Sequence, residues 1–427
     1  MTMSKAYKDS GVDWIGIIPN DWCVEKGKHI FVQRNTKGNE SPVLLAATQK
    51  SGMIPQSLLE GVVQVKLDTD LQTFKTVHIG DFVISLRSFQ GGFEMSDYEG
   101  VCSPAYQVFY NTQSIFHKYY KYLFKSYGFI SKMNSLVVGI REGKNIQYKD
   151  FAESMLPIPP LPTQQRIADF LDRKCAEIDE LAALQETMIE ELKRYKQSVI
   201  TEAVTKGLDK NAKMKPSGVE WIGEIPEGWE VKRLKDILKQ PLQYGANESG
   251  IPFNENLPRY VRITDILDNS LREDLAKQSL TEEQAKGYIL KNNDILFARS
   301  GGTVGKAFIY KQAYGRCAFA GYLIKAAIKN ENAQYVYYYT QTHCYDEWKR
   351  RIFIQATIQN IGADKYSIME LPIPPLTEQQ QIADYLDRKC AEIDELIAIK
   401  QQKIEALKEY KKSVIFEYVT GKKEVAE

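Results

Sequence analysis

Two long stretches of the chain carry apolar residues at roughly seven-residue spacing, and neither contains glycine or proline. They run from Thr163 to Thr205 and from Thr377 to Thr420. The spaced apolar residues are Ile167, Leu171, Ile178, Leu181, Met188, Leu192, Tyr195 and Val199 in the first stretch, and Ile382, Leu386, Ile393, Leu396, Leu407, Tyr410 and Val414 in the second. This spacing predicts two helices of about 42 residues, each roughly 63 Å long.

A single amphipathic helix of that length needs a partner for its apolar stripe, and the obvious partner is the other copy. The first helix carries the chain away from the region before it, so the second can pair along the whole first helix only by running back. The pattern therefore predicts an antiparallel coiled coil with a pseudo-two-fold axis. The alternative is that each stripe packs on its own domain. The predicted seam is interrupted by Lys174, Gln185, Lys389, Lys400 and Lys403.

The regions before the two helices have a mixed pattern. Short apolar runs flanked by turn residues predict strands within 78–89, 103–110, 292–301 and 307–328. Longer amphipathic runs predict helices at 120–136 and 333–352. We therefore expect each of these regions to be an α+β domain.

The chain is an internal repeat. The segment SGVDWIGIIPNDWCV, which begins at Ser10, returns as SGVEWIGEIPEGWEV at Ser217. Residues 156–205 and 371–420, which both begin LPIPPL, are identical at 35 of 50 positions, whereas the stretches between these shared segments hardly match. The prolines predict an extended connector between domain and helix. A repeated frame with divergent inserts indicates two domains that present different surfaces. The predicted boundaries are 1–155 and 207–370 for the domains, and 156–206 and 371–427 for the connectors, helices and C-terminal tail.

Composition and charge narrow the class of protein. The 427 residues are 43% hydrophobic and 26% charged, values typical of a globular protein. The polar start MTMSKAYKDSG lacks the apolar core of a signal peptide, so we expect a cytoplasmic protein. The net charge of +1 is unevenly distributed: residues 163–206 and 377–420 carry −2 each, whereas residues 1–162 and 207–376 carry +2 and +3. This is the sign expected if the domains contact phosphates.

Two glycine-containing loops, one in each repeat, follow apolar strands at roughly corresponding positions. Asp81-Phe-Val-Ile-Ser-Leu-Arg runs into Ser-Phe-Gln-Gly-Gly, and Asp294-Ile-Leu-Phe-Ala-Arg runs into Ser-Gly-Gly. Glycine lets the backbone approach a phosphate, and an arginine can form a bidentate contact with guanine. The alternative is a tight hairpin with a solvated arginine. The candidate DNA contacts in and near these segments are Arg87, Ser88, Gln90, Arg299, Ser300, Thr303 and Lys306. Arg262, earlier in the second domain, is a further candidate.

An asparagine stands eleven residues before each LPIPPL segment, as Asn145 and Asn360. It could read adenine, or it could cap a turn, and the structural role is the simpler interpretation. Neighbouring contact candidates are Arg141, Lys144 and Gln359. The tryptophans of the repeated motif, Trp14, Trp22, Trp221 and Trp229, are interpreted as core or docking residues rather than as platforms for bases.

The sequence contains no recognisable catalytic motif. SGGTVGKA at 300–307 lacks the first glycine and the final hydroxyl of a phosphate-binding loop, because Ser300 and Ala307 occupy those positions. The six cysteines include no C-x-x-C pair, and the four histidines form no H-x-x-x-H pair. We therefore expect reduced thiols, no metal and no catalytic residues.

With these segments in view, the chain resembles the specificity subunit of type I restriction-modification systems. WIGEIPEGWEV, LPIPPLTEQQQIADYLDRKCAEIDEL and KEYKKSVIFEYVTGK are similar to that family's repeated frame, and NNDILFARSGGTVGKA and LRSFQGGFEMS to its recognition domains. In the first copy Pro162-Thr163 replaces the family's usual Thr-Glu, found at Thr377-Glu378, which bears only on a helix cap.

The resemblance implies two target-recognition domains separated by two long antiparallel helices. Each domain would read one half of a bipartite, asymmetric sequence in duplex DNA, and the helix pair would set the spacer between the halves. It further implies a non-catalytic subunit that binds two methylation subunits and then restriction subunits, with S-adenosylmethionine, ATP and Mg held by those partners. A coiled-coil scaffold whose domains bind protein is the main alternative, and a nuclease is the third.

Overall fold

The computed structural model describes residues 6–38, 43–49, 51–59, 71–85, 92–136, 146–267, 270–354 and 360–425. It divides into two compact units. The first consists of Met1–Glu186 and Gln402–Glu427, and the second of Thr187–Gln401.

The elements up to the first long helix belong to the first unit. Its strands are β1 Tyr7–Asp9, β2 Ile17–Pro19, β3 Cys23–Lys26, β4 Phe31–Arg34, β5 Leu45–Thr48, β6 Gly52–Pro55, β7 Lys75–Val77, β8 Phe82–Ile84, β9 Phe93–Met95, β10 Gly100–Cys102, β11 Gln107–Asn111 and β12 Met155–Ile158. Its helices are α1 Gly27–Ile30, α2 His117–Lys125, α3 Tyr127–Ser135 and α4 Tyr148–Ala152. The first long helix is α5, Leu161–Lys206.

The remaining elements follow α5. The strands are β13 Met214–Pro216, β14 Glu224–Pro226, β15 Glu230–Arg233, β16 Gln243–Tyr244, β17 Ile251–Pro252, β18 Arg259–Val261, β19 Ile266–Leu267, β20 Ser270–Leu271, β21 Gln278–Ser279, β22 Ile295–Ala298, β23 Ala307–Ile309, β24 Cys317–Phe319, β25 Leu323–Ala326 and β26 Glu370–Ile373. The helices are α6 Glu282–Ala285, α7 Ala333–Tyr339, α8 His343–Ile354, α9 Ala363–Ser367 and the second long helix, α10 Leu376–Val419. Short 3-10 turns occur at Gln56–Leu58, Leu71–Thr73, Leu234–Ile237, Ile263–Asp265, Gly301–Thr303 and Gln312–Tyr314.

Both units contain the same four-stranded antiparallel sheet despite their divergent sequences. Its order is β4-β11-β8-β9 in the first unit and β16-β25-β22-β23 in the second. Successive residues of a strand point to opposite faces, and here both faces are covered. In β22, Ile295 and Phe297 enter one core cluster while Leu296 and Ala298 enter another. This explains why the strand is apolar throughout. The prediction of α+β domains is confirmed.

The second unit has an additional sheet of order β17-β21-β18-β24, in which β18 and β24 run parallel. The two predicted long helices of the domains are each broken in the structure. The stretch 120–136 is covered by α2 and α3, because the chain turns at Ser126, whose hydroxyl donates to the carbonyl of Leu123. The stretch 333–352 is divided between α7 and α8 by Thr340–Thr342, where Thr342 Oγ1 donates to Tyr339 O at 2.7 Å.

The repeated frame joins each domain to its helix. The LPIPPL connectors begin as strands, since β12 pairs antiparallel with β3 and β26 with β15. Trp22 and Trp229 are 2% and 1% exposed and lie in the main core cluster of their units, which confirms their interpretation as core residues. Trp229 Nε1 donates to Glu378 Oε2 at 3.0 Å. Thr163 occupies the position of Glu378 in the first copy. The Pro162-Thr163 departure therefore removes the carboxylate that accepts this indole hydrogen bond in the second copy, in addition to any effect on a helix cap.

The two long helices pair antiparallel within each unit. In the first unit the rings of Phe170 and Tyr418 lie 4.4 Å apart, and further along α5 Asp179 meets Lys411. In the second unit Lys196 meets Asp394, whereas Gly207, just beyond α5, lies against Glu378. As residue numbers rise along α5, those of its neighbours on α10 fall in both units. The predicted antiparallel pairing is confirmed.

Four residues predicted for the coiled-coil seam lie outside it. Leu181, Tyr195, Leu396 and Tyr410 are 46% to 52% exposed. The α5 residues one position later, Ala182, Ile189 and Lys196, are half-buried or buried, and so are the equivalent α10 residues Ile397, Ile404 and Lys411. The predicted residues Ile167, Leu171, Ile178, Ile382, Leu386, Ile393 and Val414 are buried, and Met188, Leu192, Val199 and Leu407 are half-buried. Over the described residues, no helix has the length and hydrophobicity needed to cross a membrane.

Candidate nucleic-acid interface

The structure describes part of the predicted DNA-contact set. Within the described chain lie Arg262, Arg299, Ser300, Thr303, Lys306 and Asn360. Outside the described residues lie Arg87, Ser88, Gln90, Arg141, Lys144, Asn145 and Gln359. The geometry below therefore concerns mainly the second unit.

The loop between β22 and β23 is a compact turn held by its own backbone. Ala298 N donates to Lys306 O and Gly305 N donates to Ala298 O, both at 2.9 Å. Gly301 has a φ of 77°, in the left-handed region that favours glycine, and a Cβ added there would meet no atom within 4 Å. The loop thus keeps an open, polar surface between two buried strands.

Arg299, the first residue after β22, carries a guanidinium that no described carboxylate neutralises. The guanidinium carbon lies 4.9 Å from the centre of the Tyr244 ring. Arg299 Nε is buried and has no hydrogen-bond partner in the described part of the chain. Contact with an aromatic ring orients an arginine without using its donors. The side chain is therefore oriented, and no described carboxylate occupies its terminal nitrogens.

The structure brings together the two features that the sequence predicted separately. Ser300 and Asn360 form an antiparallel β-bridge, and Ile361 N donates to Arg299 O at 2.9 Å. The hydroxyl of Tyr244 accepts a hydrogen bond from Ala363 N at 3.0 Å. Asn360 is exposed beside the loop. Arg299, Ser300, Asn360 and Tyr244 form one surface, called here the Arg299 cluster.

Arg262 has a different environment. Its Nε and Nη2 donate to the two oxygens of Asp265 at 2.9 and 2.7 Å, and Nη2 also contacts Ala276 O at 3.1 Å. The hydrogen bonds to Asp265 raise the pKa of Arg262. The next residue, Ile263, lines a small cavity with Thr303 and Lys306, so this segment lies beside the loop. The guanidinium itself is largely occupied within the protein.

Two tyrosines of this surface were missed by the sequence analysis. Tyr244 is 41% exposed and Tyr322 is 62% exposed. The carbonyl of Tyr322 accepts a hydrogen bond from Arg299 N at 3.1 Å, which places it beside the cluster. No motif marks either tyrosine. A large aromatic residue beside a turn-forming glycine, as in Tyr244-Gly245 and Gly321-Tyr322, is the sequence signal that was available.

The first unit has a related arrangement. Ser85, which follows β8, and Ile146, which follows the predicted Asn145, line one cavity of about 310 Å³. Gln107 Nε2 donates to Ile146 O at 3.2 Å. Lys75 also lines the cavity, and burial lowers its pKa. The described residues next to the two predicted contact segments thus line one cavity, whereas the segments themselves lie outside the described residues.

The aspartate that begins each apolar strand is structural. Asp81 Oδ2 accepts a hydrogen bond from His78 N at 2.9 Å, and Asp294 Oδ2 accepts one from Lys291 N at 2.8 Å. Arg34 Nε also donates to Asp81 at 2.8 Å. Burial raises the pKa of Asp294. Both carboxylates hold the turn before the strand.

Within the described residues, no cluster of three or more histidine, cysteine, aspartate or glutamate side chains could hold a metal. The six cysteines are free thiols, and all except Cys23 are buried. Burial raises the pKa of Cys102 to about 12 and that of Cys317 to about 11, so both thiols stay protonated near neutral pH.

Comparison with known proteins gives consistent matches. The type I restriction modification DNA specificity domain matches the chain twice, at residues 21–194 and 226–409. The putative type I restriction enzyme MjaX specificity subunit of Methanocaldococcus jannaschii is 26% identical over 446 residues, covering 96% of this chain and 95% of that protein. The MjaVIII specificity subunit of the same organism is 26% identical over 294 residues, covering 65% of this chain and 64% of that protein. The chain therefore spans just under two thirds of that relative.

Two solved structures have a similar fold. One is a chain of a type I R-M system, from work on its complex assembly and conformational transition, with a TM-score of 0.72 at 16% identity. That match covers 94% of this chain and 98% of the other. The other is the HsdS subunit from Thermoanaerobacter tengcongensis, with a TM-score of 0.54 at 15% identity and coverage of 95% and 98%.

Proposed function

Since this chain belongs to the type I restriction-modification DNA specificity family, we propose that each of its two domains reads one half of a bipartite, asymmetric target in duplex DNA. The observation that carries the proposal is the Arg299 cluster. An oriented guanidinium that no described carboxylate neutralises, an exposed asparagine and exposed tyrosines lie together on one polar surface.

The chemistry of the Arg299 cluster suits the edges of base pairs. Arginine is the commonest bidentate donor to guanine in the major groove, and asparagine pairs in the same way with adenine. Arg299 fits the first role because its guanidinium lies against the Tyr244 ring and forms no ion pair with a described carboxylate. Ser300 and Thr303, on the turn that follows, can donate to phosphates, which fix register without reading sequence. Arg262 is proposed to orient this region through its hydrogen bonds to Asp265. Its only proposed contact with DNA is with the sugar-phosphate backbone.

The equivalent contacts of the first domain are proposed for the segments that flank its cavity. Arg87, Ser88 and Gln90 follow Ser85, and Arg141, Lys144 and Asn145 precede Ile146. Because Ser85 and Ile146 line the same cavity, these two segments are the natural counterparts of the Arg299 loop and of Gln359 and Asn360. The divergence between the two sets of residues fits an asymmetric target.

The helix pair is proposed to set the spacer and to bind the methylation subunits. Each unit exposes four large apolar side chains on the pair. They are Leu161, Leu181, Leu184 and Tyr410 in the first unit, and Tyr195, Leu376, Leu396 and Ile399 in the second. Exposed apolar groups on an otherwise charged coil favour a protein partner. Their repetition at the same offset fits two copies of that partner, with restriction subunits joining afterwards.

The chain itself is proposed to be non-catalytic. S-adenosylmethionine, ATP and Mg would then be bound by the methylation and restriction subunits. The residues of the Arg299 cluster include donors suited to recognition but no paired general acid and base. Cleavage of DNA by the isolated chain with Mg would contradict this part of the proposal.

The test is to co-express the chain with its methylation subunit and to sequence the methylome of the cells. Two short defined halves around unspecified bases would establish the two-domain reader and supply the target. A stable complex whose methylation subunit is active, in cells whose genome stays unmethylated, would contradict the proposal. The Arg299 cluster would then have no recognition role.

A further inference from the structure

The second unit contains a cavity of about 610 Å³ lined by lysines from three parts of the fold. Lys193 and Lys196 come from α5, Lys306 from the end of the Arg299 loop, and Lys349 from α8. One carboxylate, that of Asp394, also lines the cavity. The volume is within the range of ligand pockets, and the lining charge favours an anion.

Lys196 is held by Asp394 at 2.6 Å, whereas the ion pairs of Lys193 and Lys349 leave these two lysines available to a ligand. Lys193 Nζ lies 2.8 Å from Glu190 and Lys349 Nζ lies 2.8 Å from Asp346, both on the same helix one turn away. Glu190 is 60% exposed and Asp346 is 47% exposed, and such exposed pairs contribute little to stability. Lys306 is exposed and has no ion-pair partner in the described part of the chain.

A second observation points to a missing acceptor. Gln341 lines the same cavity, and its Nε2 is buried without a hydrogen-bond partner among the described residues. A buried donor that has lost its water and gained no partner is costly, so such groups are normally satisfied. An oxygen of a bound anion would satisfy it once the amide of Gln341 turns toward the cavity that the residue lines.

We propose that this cavity holds a phosphate group of the DNA backbone. The inference rests on the proposed function, because the DNA would be the duplex whose bases the Arg299 loop reads. Lys306 closes that loop, since Ala298 N donates to Lys306 O at 2.9 Å. A phosphate held beside it fixes the position of the duplex and carries no sequence information. Phosphate chemistry is shared by free nucleotides, so the test separates the two sources.

The experiment measures DNA binding by the complex with its methylation subunits as a function of salt concentration. The variant combines Lys193→Gln, Lys306→Gln and Lys349→Gln. Each phosphate contact contributes about 0.9 to the slope of log affinity against log salt. The variant should lower that slope by about 1 or more and weaken target and non-target duplexes by the same factor. The methylated sequence should stay the same.

Arg350→Gln is the matched control. Arg350 follows Lys349 on α8 and has the same kind of ion pair, with Glu347 at 2.6 Å, but it does not line the cavity. The slope of log affinity against log salt for this variant should equal that for the unmodified chain. Gln341→Glu is a second variant that leaves every lysine in place. It should weaken DNA binding because it brings a negative charge to the same cavity.

The outcomes are distinct. If the unmodified complex fails to bind DNA, the proposed function fails first. If it binds with a steep salt slope that the triple variant and Gln341→Glu leave unchanged, the cavity proposal is overturned. It is also overturned if inorganic phosphate or ATP stabilises the unmodified chain but not the variant while DNA binding is unaffected. Normal DNA binding with loss of the methylation subunits would assign the cavity to an acidic segment of the partner instead.

Discussion

Lys411 Nζ lies 2.6 Å from Asp179 Oδ2, and this contact joins α10 to α5 inside the first unit. The equivalent residues of the repeat, Lys196 and Asp394, make the same contact at 2.6 Å inside the second unit. Each lysine occupies a seam position where an apolar residue would otherwise be expected. A polar residue at such a position specifies register at a cost in stability. The repeat has thus placed one register-setting ion pair in each unit.

We expect the Lys411–Asp179 pair to contribute little to stability. The side chains are 30% and 65% exposed, and exposed pairs are worth about 0 to 1 kcal/mol. A double-mutant cycle with Lys411→Ala and Asp179→Ala, measured by chemical denaturation, should give a coupling energy below about 1 kcal/mol that shrinks with added salt. The same cycle on Lys196 and Asp394 is the internal control. A coupling of several kcal/mol would show that the pair is not solvated as described.

Arg299→Lys should relax recognition at one base pair of one half-site. Lysine keeps the charge but loses the planar fork, and a good bidentate contact is worth about 1 to 3 kcal/mol of discrimination. Methylome sequencing should show one degenerate position in one half and an unchanged second half.

Arg262→Lys is the control for that prediction. Its guanidinium is bound to Asp265, so the substitution should lower the unfolding temperature and leave the target unchanged. If Arg262→Lys changed the target and Arg299→Lys did not, the assignment of the two arginines would have to be reversed.

The sequence was sufficient to predict the repeat, the α+β domains and the antiparallel helices, because these depend on periodicity and on the prolines of LPIPPL. The exact seam was not predictable in the same way. Leu181 and Tyr195 are large and apolar, yet both are exposed, whereas the residues that follow them, Ala182 and Lys196, are half-buried. A prediction from size and hydrophobicity alone therefore selects Leu181 and Tyr195 rather than the residues that follow them.

The Arg299 cluster was only partly predictable. Arg299 and Asn360 were each marked by the repeat, but their juxtaposition depends on a β-bridge between segments 60 positions apart. Tyr244 was missed because its exposure and its contact with Arg299 arise only when β16 joins β25 in the sheet. Such non-local contacts leave no periodic signal in the sequence.

Replacing Leu181 and Leu184 by glutamine should weaken binding of the methylation subunit. The two side chains are 49% and 52% exposed, so their removal should leave the unfolding temperature of the chain nearly unchanged. Co-purification of the tagged chain with its partner measures the effect. Leu208→Gln is the matched control, because Leu208 is 41% exposed but lies beyond the end of α5. Equal loss of partner with the control would exclude a specific docking role for Leu181 and Leu184.

Glu94 should make the first unit less stable as the pH rises through the weakly acidic range. Burial raises the pKa of this carboxyl from 4.5 to about 7, and Lys125 offsets only part of that effect. The folded state then binds the proton more tightly than the unfolded chain does. The stabilisation is complete below about pH 4.5 and is lost as the pH approaches about 7.

Glu94→Gln tests this linkage. The free energy of unfolding of the variant, measured by denaturant titration across that pH window, should fall less with rising pH than that of the unmodified chain. His117 has the opposite effect, since burial lowers its pKa, so the comparison is made between the two proteins at each pH. An identical pH dependence in both would contradict the assignment to Glu94.

Lengthening both long helices by one heptad should lengthen the DNA spacer without changing either half-site. One heptad adds about 10.5 Å to a helix, which corresponds to at most about three base pairs. Because α5 and α10 pair antiparallel, the insertions must be matched, one after Glu186 and one after Gln401. Insertion into α5 alone is the control, and it should destabilise the chain by shifting the seam on one side of the insertion. Methylome sequencing gives the spacer directly. A constant spacer with altered half-sites would show that the two long helices do not set the spacer.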